Sequence, residues 1–125
     1  NKGEAEIKYP ATVVDVIDDF TLAINRGSND GIERGQIFLI YELSDKLIIA
    51  PTDGRVLGYL EIAKGTGEVT NVQENMSTIK SDMEERLEKE IERNQFGGLF
   101  ETIRLRTRKI PFDDPKIGDK AKPIG

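Results

Sequence analysis

The chain has 125 residues, enough for one domain with a modest core, with 37% apolar and 33% charged residues and a formal net charge of -5. That charge argues against a dedicated nucleic-acid binder, which needs a basic face to meet phosphate, though it leaves room for a local basic patch. The chain has no Cys and no His, which excludes disulfides, thiolate zinc sites and His-based triads and disfavours an enzyme.

Residues 1–9 are polar and read as a frayed end. The run TVVDVI at 12–17 is rich in β-branched residues and predicts a strand. Asp18-Asp19 marks a tight turn. Beyond it Phe20, Leu22 and Ile24 alternate with Thr21, Ala23 and Asn25, the period of a strand with one apolar face. The loop at 26–35 contains Gly27, Gly31 and Gly35, read as turn-makers able to take positive φ. A short helical turn is expected at 30–33, with Ile32 plugging the end of a barrel. The run IFLIYEL at 37–43 reads as a strand buried on both sides over part of its length.

Residues 44–56 read as a connection with Pro51, Asp53 and Gly54, in which Leu47-Ile48-Ile49 forms a short edge strand. Residues 57–64 (LGYLEIAK) alternate again, Gly65-Thr66-Gly67 predicts a turn or bulge, and strands are expected at 68–73 and 77–80. Ser81 with Glu84 fits a capping box, and Met83, Leu87 and Ile91 recur every four residues. Together with the early acids and later bases, they predict a helix at about 82–95, packed on the barrel through its apolar stripe. Residues 101–110 (ETIRLRTRKI) alternate as a strand, and 117–121 predicts a last strand closing the sheet.

The fold expected from these elements is mainly β: a small antiparallel β-barrel or sandwich of six to eight short strands with one inserted helix. It forms one domain over 1–125, carrying a helix–strand segment at 82–111.

Three segments together resemble a known family. In the run from Ile24 to Tyr41, Asn25, Gly27, Ser28, Gly31, Ile32, Gly35, Phe38 and Tyr41 fit the pattern IN-x-G-S-x-x-G-I-x-x-G-x-x-F-x-x-Y. Leu57-Gly58 ends a loop of the type D-P-x-T-G-x-x-L-G, with Ala50 in place of the Asp and Thr52-Asp53-Gly54 in place of the usual order. Gly118-Asp119 fits a closing G-D-x-V. The chain thereby resembles small bacterial β-barrel domains such as the C-terminal domain of flagellar assembly protein T. The resemblance implies a barrel used as an envelope or assembly module without catalysis.

The glycine loop lacks the G-x-x-x-x-G-K-[ST] of a phosphate loop. Aligning Gly31 with the invariant glycine of an EF-hand puts Arg26 and Ile37 where carboxylates are required. Only an irregular cation site using Asp30 and Glu33 stays open. Asp15, Asp18 and Asp19 lie close in sequence, as acid–base pairs do, but two of them occupy a turn, where Asp is common. The best candidate site is basic: Arg104, Arg106 and Arg108 recur on one face of a strand with Lys109 beside them. Such a stripe suits an anionic partner, a lipid headgroup or nucleic acid; alternatively the acids at 82–95 neutralise it.

The functional expectation is a non-catalytic module for protein–protein interaction or assembly, with no cofactor and no metal. The alternative is a binder of acidic ligands through strand 104–109. A protein partner is expected, nucleic acid is disfavoured, no run is long enough to span a membrane, and a homo-oligomer is left open. The first residue is Asn1; if an upstream signal has been removed, the expected location is the cell envelope or an exported compartment.

Overall fold

The computed structural model describes residues 10–93 and 101–125, with the backbone alone at 88–93 and 101–105. The chain is mainly β. Its strands are β1 (Ala11–Asp18), β2 (Thr21–Ile24), β3 (Ile37–Ile49), β4 (Val56–Val72), β5 (Ser77–Ser81), β6 (Glu84–Arg93), β7 (Glu101–Lys109) and β8 (Lys120–Pro123). Six of them close into an antiparallel barrel in the order β1-β2-β5-β4-β3-β8, and β6 and β7 form a separate two-stranded sheet.

The barrel follows from alternation. Ala11 and Val13 on β1, Leu22 and Ile24 on β2, Phe38 and Ile40 on β3, Val69 on β4, Ile79 on β5 and Ala121 on β8 all point into one core. Asp18 makes the first hairpin, its Oδ1 accepting the Phe20 N–H at 2.8 Å. Ile32 is buried in the core cluster, so the loop does plug the barrel.

Two details of that loop differ from expectation. The helical turn spans Ser28–Asp30, earlier than 30–33. Gly27 is extended, not left-handed. A Cβ there would lie 2.2 Å from the Gln73 carbonyl oxygen, so glycine is needed for close approach. This approach lets the Ser28 and Asn29 amides donate to the Gln73 and Glu74 carbonyls at 2.8 and 3.0 Å.

Of the turn or bulge expected at 65–67, the bulge is present, at the adjoining Lys64, and the segment is not a turn. It lies inside β4, a strand of 17 residues. Register shifts at Ile40/Tyr41, which pair with Gly65 and Ala63, leaving Lys64 as the extra residue of a β-bulge. Ala63 is exposed and Lys64 is buried. The Lys64 ammonium sits 2.9 and 3.0 Å from the two carboxylate oxygens of Asp119 and 2.8 Å from the Asp114 carbonyl. Asp119 in turn accepts the Lys116 N–H at 2.8 Å. Side-chain exposures of 5% and 4% make this a desolvated ion pair with its hydrogen bonds satisfied.

The expected helix at 82–95 is a correction: Glu84–Arg93 is strand β6, and 94–95 lie outside the described residues. A four-residue apolar repeat fits one face of a strand as well as one face of a helix. What decides is pairing with β7, which sets Glu84 opposite Lys109, Glu85 opposite Arg108, Glu88 opposite Arg106 and Glu90 opposite Arg104. A helix of this length has little stability of its own to oppose that. Ser81, the expected N-cap, instead ends β5 and donates its hydroxyl to the Ile110 carbonyl at 2.5 Å. Met83 and Phe112 root the hairpin, packing over Gly65 and Gly67 of β4.

Replacing Lys64 by Met alone, or Asp119 by Asn alone, strands a buried partner and should cost about 3–5 kcal/mol in a urea denaturation series. The double variant Lys64→Met/Asp119→Leu should be less destabilised than the sum of the two single changes.

Candidate functional site

Strand β7 carries all four candidate basic residues, and in register each faces an acid of β6. Arg108 makes an ion pair with Glu85, and Lys109 lies 3.6 Å from Glu84. Both pairs are largely exposed, so each contributes at most about 1 kcal/mol. Their larger effect is on the field. Strand β6 carries five acids and three bases, and β7 one acid and four bases, so the hairpin is nearly neutral. A nearly neutral ladder concentrates an anionic ligand weakly.

The structure also places the other candidates. Asp15, Asp18 and Asp19 are exposed, and Asp18 is engaged by its turn. The Asp30 carboxylate accepts the Gly27 N–H at 2.9 Å. Among the described residues no three carboxylates converge as a cation site requires. Glu42 and Asp45 border a groove of about 300 Å³ with Leu43, Ser44 and Ile62. Glu42 is half-buried and Asp45 exposed, so this is not a pocket of two desolvated carboxylates. No helix among the described residues is long and apolar enough to cross a membrane.

A second surface was not anticipated from the sequence. Strand β8 pairs with β3 only over 38–41, and β5 pairs with β4 only over 67–72. Beyond those limits β3 and β4 pair only with each other, so 42–49 and 56–62 form a two-stranded ribbon projecting from the barrel. The connection expected at 44–56 is therefore mostly strand, closed by a short tip in which Ala50 N–H donates to Arg55 O at 2.8 Å. The signal was present: Asp53-Gly54 between the apolar runs Leu47-Ile48-Ile49 and Val56-Leu57 is a hairpin signature.

The ribbon is apolar on both faces. Pairing puts Leu43, Leu47 and Tyr59 on one face and Ile48, Leu60 and Ile62 on the other. Leu43, Leu47, Ile49, Val56, Leu57, Tyr59, Leu60 and Ile62 are between 42% and 60% exposed. A contiguous apolar surface of this kind on one projecting element marks an interaction site more often than scattered exposed residues do. At its base Glu61 accepts from Lys122 at 2.8 Å, and that ammonium lies 4.9 Å from the centre of the Tyr41 ring.

No protein-family model matches the chain, and no curated protein matches it.

Burial, and then the nearby Glu61 carboxylate, hold the Tyr41 phenol above its ordinary value of 10.0, with Lys122 opposing. A phenol whose folded value is raised adds stability that is complete below the unfolded value and lost as pH rises through the folded one. Phenolate absorbance of the native protein, compared with Tyr41→Phe, should therefore show Tyr41 titrating above pH 10.0, with denaturant stability falling only on the alkaline side.

Proposed function

We propose that this chain is a non-catalytic β-barrel module for protein–protein assembly, and that the β3–β4 ribbon is its contact surface. One observation carries the reading: a closed barrel that buries its own core also projects a ribbon whose apolar side chains are about half exposed on both faces. A two-stranded ribbon is marginal by itself in water, and a partner laid against it supplies the missing cover. The likeness of 24–41, 57–58 and 118–119 to bacterial assembly barrels agrees with this reading. The absence of His and Cys from the chain removes the commonest general base and the thiolate nucleophile.

The alternative, an acidic ligand held by Arg104, Arg106, Arg108 and Lys109, has less support because acids stand opposite all four in register. One comparison separates the two. Immobilised protein should retain a partner from extracts of its native host. Leu57→Ser/Leu60→Ser should lose that retention at least tenfold, while Arg104→Ser/Arg106→Ser/Arg108→Ser keeps it. The reverse pattern, with retention that falls steeply with salt, would move the function to β7.

A further inference from the structure

We infer that the ribbon's partner is a second copy of this chain, joined through the outer edge of β4 as an antiparallel strand pair about a two-fold axis at Tyr59. This rests on the assembly reading and names the partner.

The choice of edge follows from how the chain guards its strands. Among the described residues, barrel closure covers the barrel strands only where they pair, leaving open the two edges of the ribbon, the two of the β6–β7 sheet and the outer edge of β1 beyond Val13, which carries Asp15 and Asp18. Open edges in natural proteins are protected by charge, proline or irregular pairing. Strand β6 carries eight charged residues and β7 five. The outer β3 edge has Glu42, Asp45 and Lys46, and its pairing slips between Leu43 and Leu47. The outer β4 edge from Val56 to Ile62 reads VLGYLEI, with one charged residue, no Lys and no Pro, and its pairing with β3 shifts once, at Leu57. Among the described residues no strand lies against it.

The same edge is self-complementary. Antiparallel pairing about a perpendicular two-fold axis sets equal numbers of residues on either side of Tyr59 opposite each other. Val56 then meets the second copy's Ile62, Leu57 meets its Glu61, and Gly58 meets its Leu60, so no like charges are opposed. Gly58 takes φ +116, and nothing lies within 4 Å of where its Cβ would be. The shallow hollow there, about 210 Å³, is lined by Ile48, Leu57, Gly58, Tyr59 and Leu60 and faces the incoming Leu60. On the other face Leu47 and Tyr59 of both copies line up as one row across four strands.

Charge argues against a bilayer as the occupant. The ribbon's far end is Thr52-Asp53-Gly54-Arg55, so entering lipid tip-first would bury Asp53 and Arg55 before any apolar band was reached. Covering the β4 edge removes on the order of 500 Å² per copy, the range of a weak, reversible dimer.

Sedimentation of the unaltered chain should show the 14.0 kDa monomer at low micromolar concentration and twice that mass approaching millimolar. Tyr59→Lys and Leu60→Lys, both at exposed positions, should weaken association at least tenfold. Leu43→Lys, on the β3 edge, should leave it unchanged. Because the chain has no Cys, Tyr59→Cys should give a disulfide-linked dimer with a mild oxidant, and Leu43→Cys should not. Circular dichroism and urea midpoints of the variants, taken at low concentration, establish that each is folded. A chain that stays monomeric throughout, a dimer indifferent to both lysines, or binding of the monomer to phosphatidylcholine–phosphatidylglycerol vesicles overturns the inference. Monomeric protein that still retains a host partner through Leu57 and Leu60 overturns the dimer alone, whereas loss of both overturns the assembly reading too.

Discussion

The barrel is closed by one of its two shortest strands. Strand β8, four residues long, pairs with both β1 and β3, and a strand so short gains little from its ladder alone. Its approach is oriented by Asp119, whose carboxylate takes the Lys64 ammonium from β4, two strands away, and the Lys116 amide from its own loop. That contact depends on a bulge, which inserts Lys64 as an extra residue in β4 and turns a position that alternation would expose toward the interior. An ion pair taken out of water adds little net stability over an apolar pair of the same shape, but it tolerates few other arrangements. Here it links the middle of β4, the 113–119 loop and the entry to β8, and so helps to set how β8 enters the sheet.

Closure in turn decides where unpaired backbone is left. Among the described residues the barrel has none where its strands pair, so open edge is left on the two hairpins that leave it and on β1 beyond Val13, where Asp15 and Asp18 guard it. One hairpin is covered in charge of both signs, paired across its own ladder. The other is the continuation of β3 and β4 beyond the barrel and keeps an apolar surface. The contrast supports the proposal that the ribbon is the contact surface, since both hairpins belong to one fold and only the ribbon keeps a long apolar edge, on β4.

Much of the architecture was legible in local pattern. The β-branched run at 12–17, the alternation of Phe20, Leu22 and Ile24, and Ile32 as a lone apolar residue in a glycine loop each led to the observed role or near it. Gly118-Asp119 was visible as a motif, but not as half of an ion pair, because its partner is a lone Lys with no local signal. The helix expected at 82–95 failed because its apolar spacing fits two periodicities and its charges complement a strand that comes later in the chain. The ribbon was missed because Ser44, Pro51 and Asp53 read as a connection, so the short strand at 47–49 and the alternating run at 57–64 were not joined into one hairpin continuing β3 and β4.

By itself, then, the sequence determined the class of fold, the strands that make the core, the plugging loop and the absence of His and Cys chemistry, since these depend on residue type and on spacing along the chain. Tertiary structure alone decided that 84–93 is a strand, that Lys64 turns inward to meet Asp119, and that 42–62 stands clear of the barrel. Each of those depends on residues brought together from distant parts of the chain, where pairing free energy outweighs local preference.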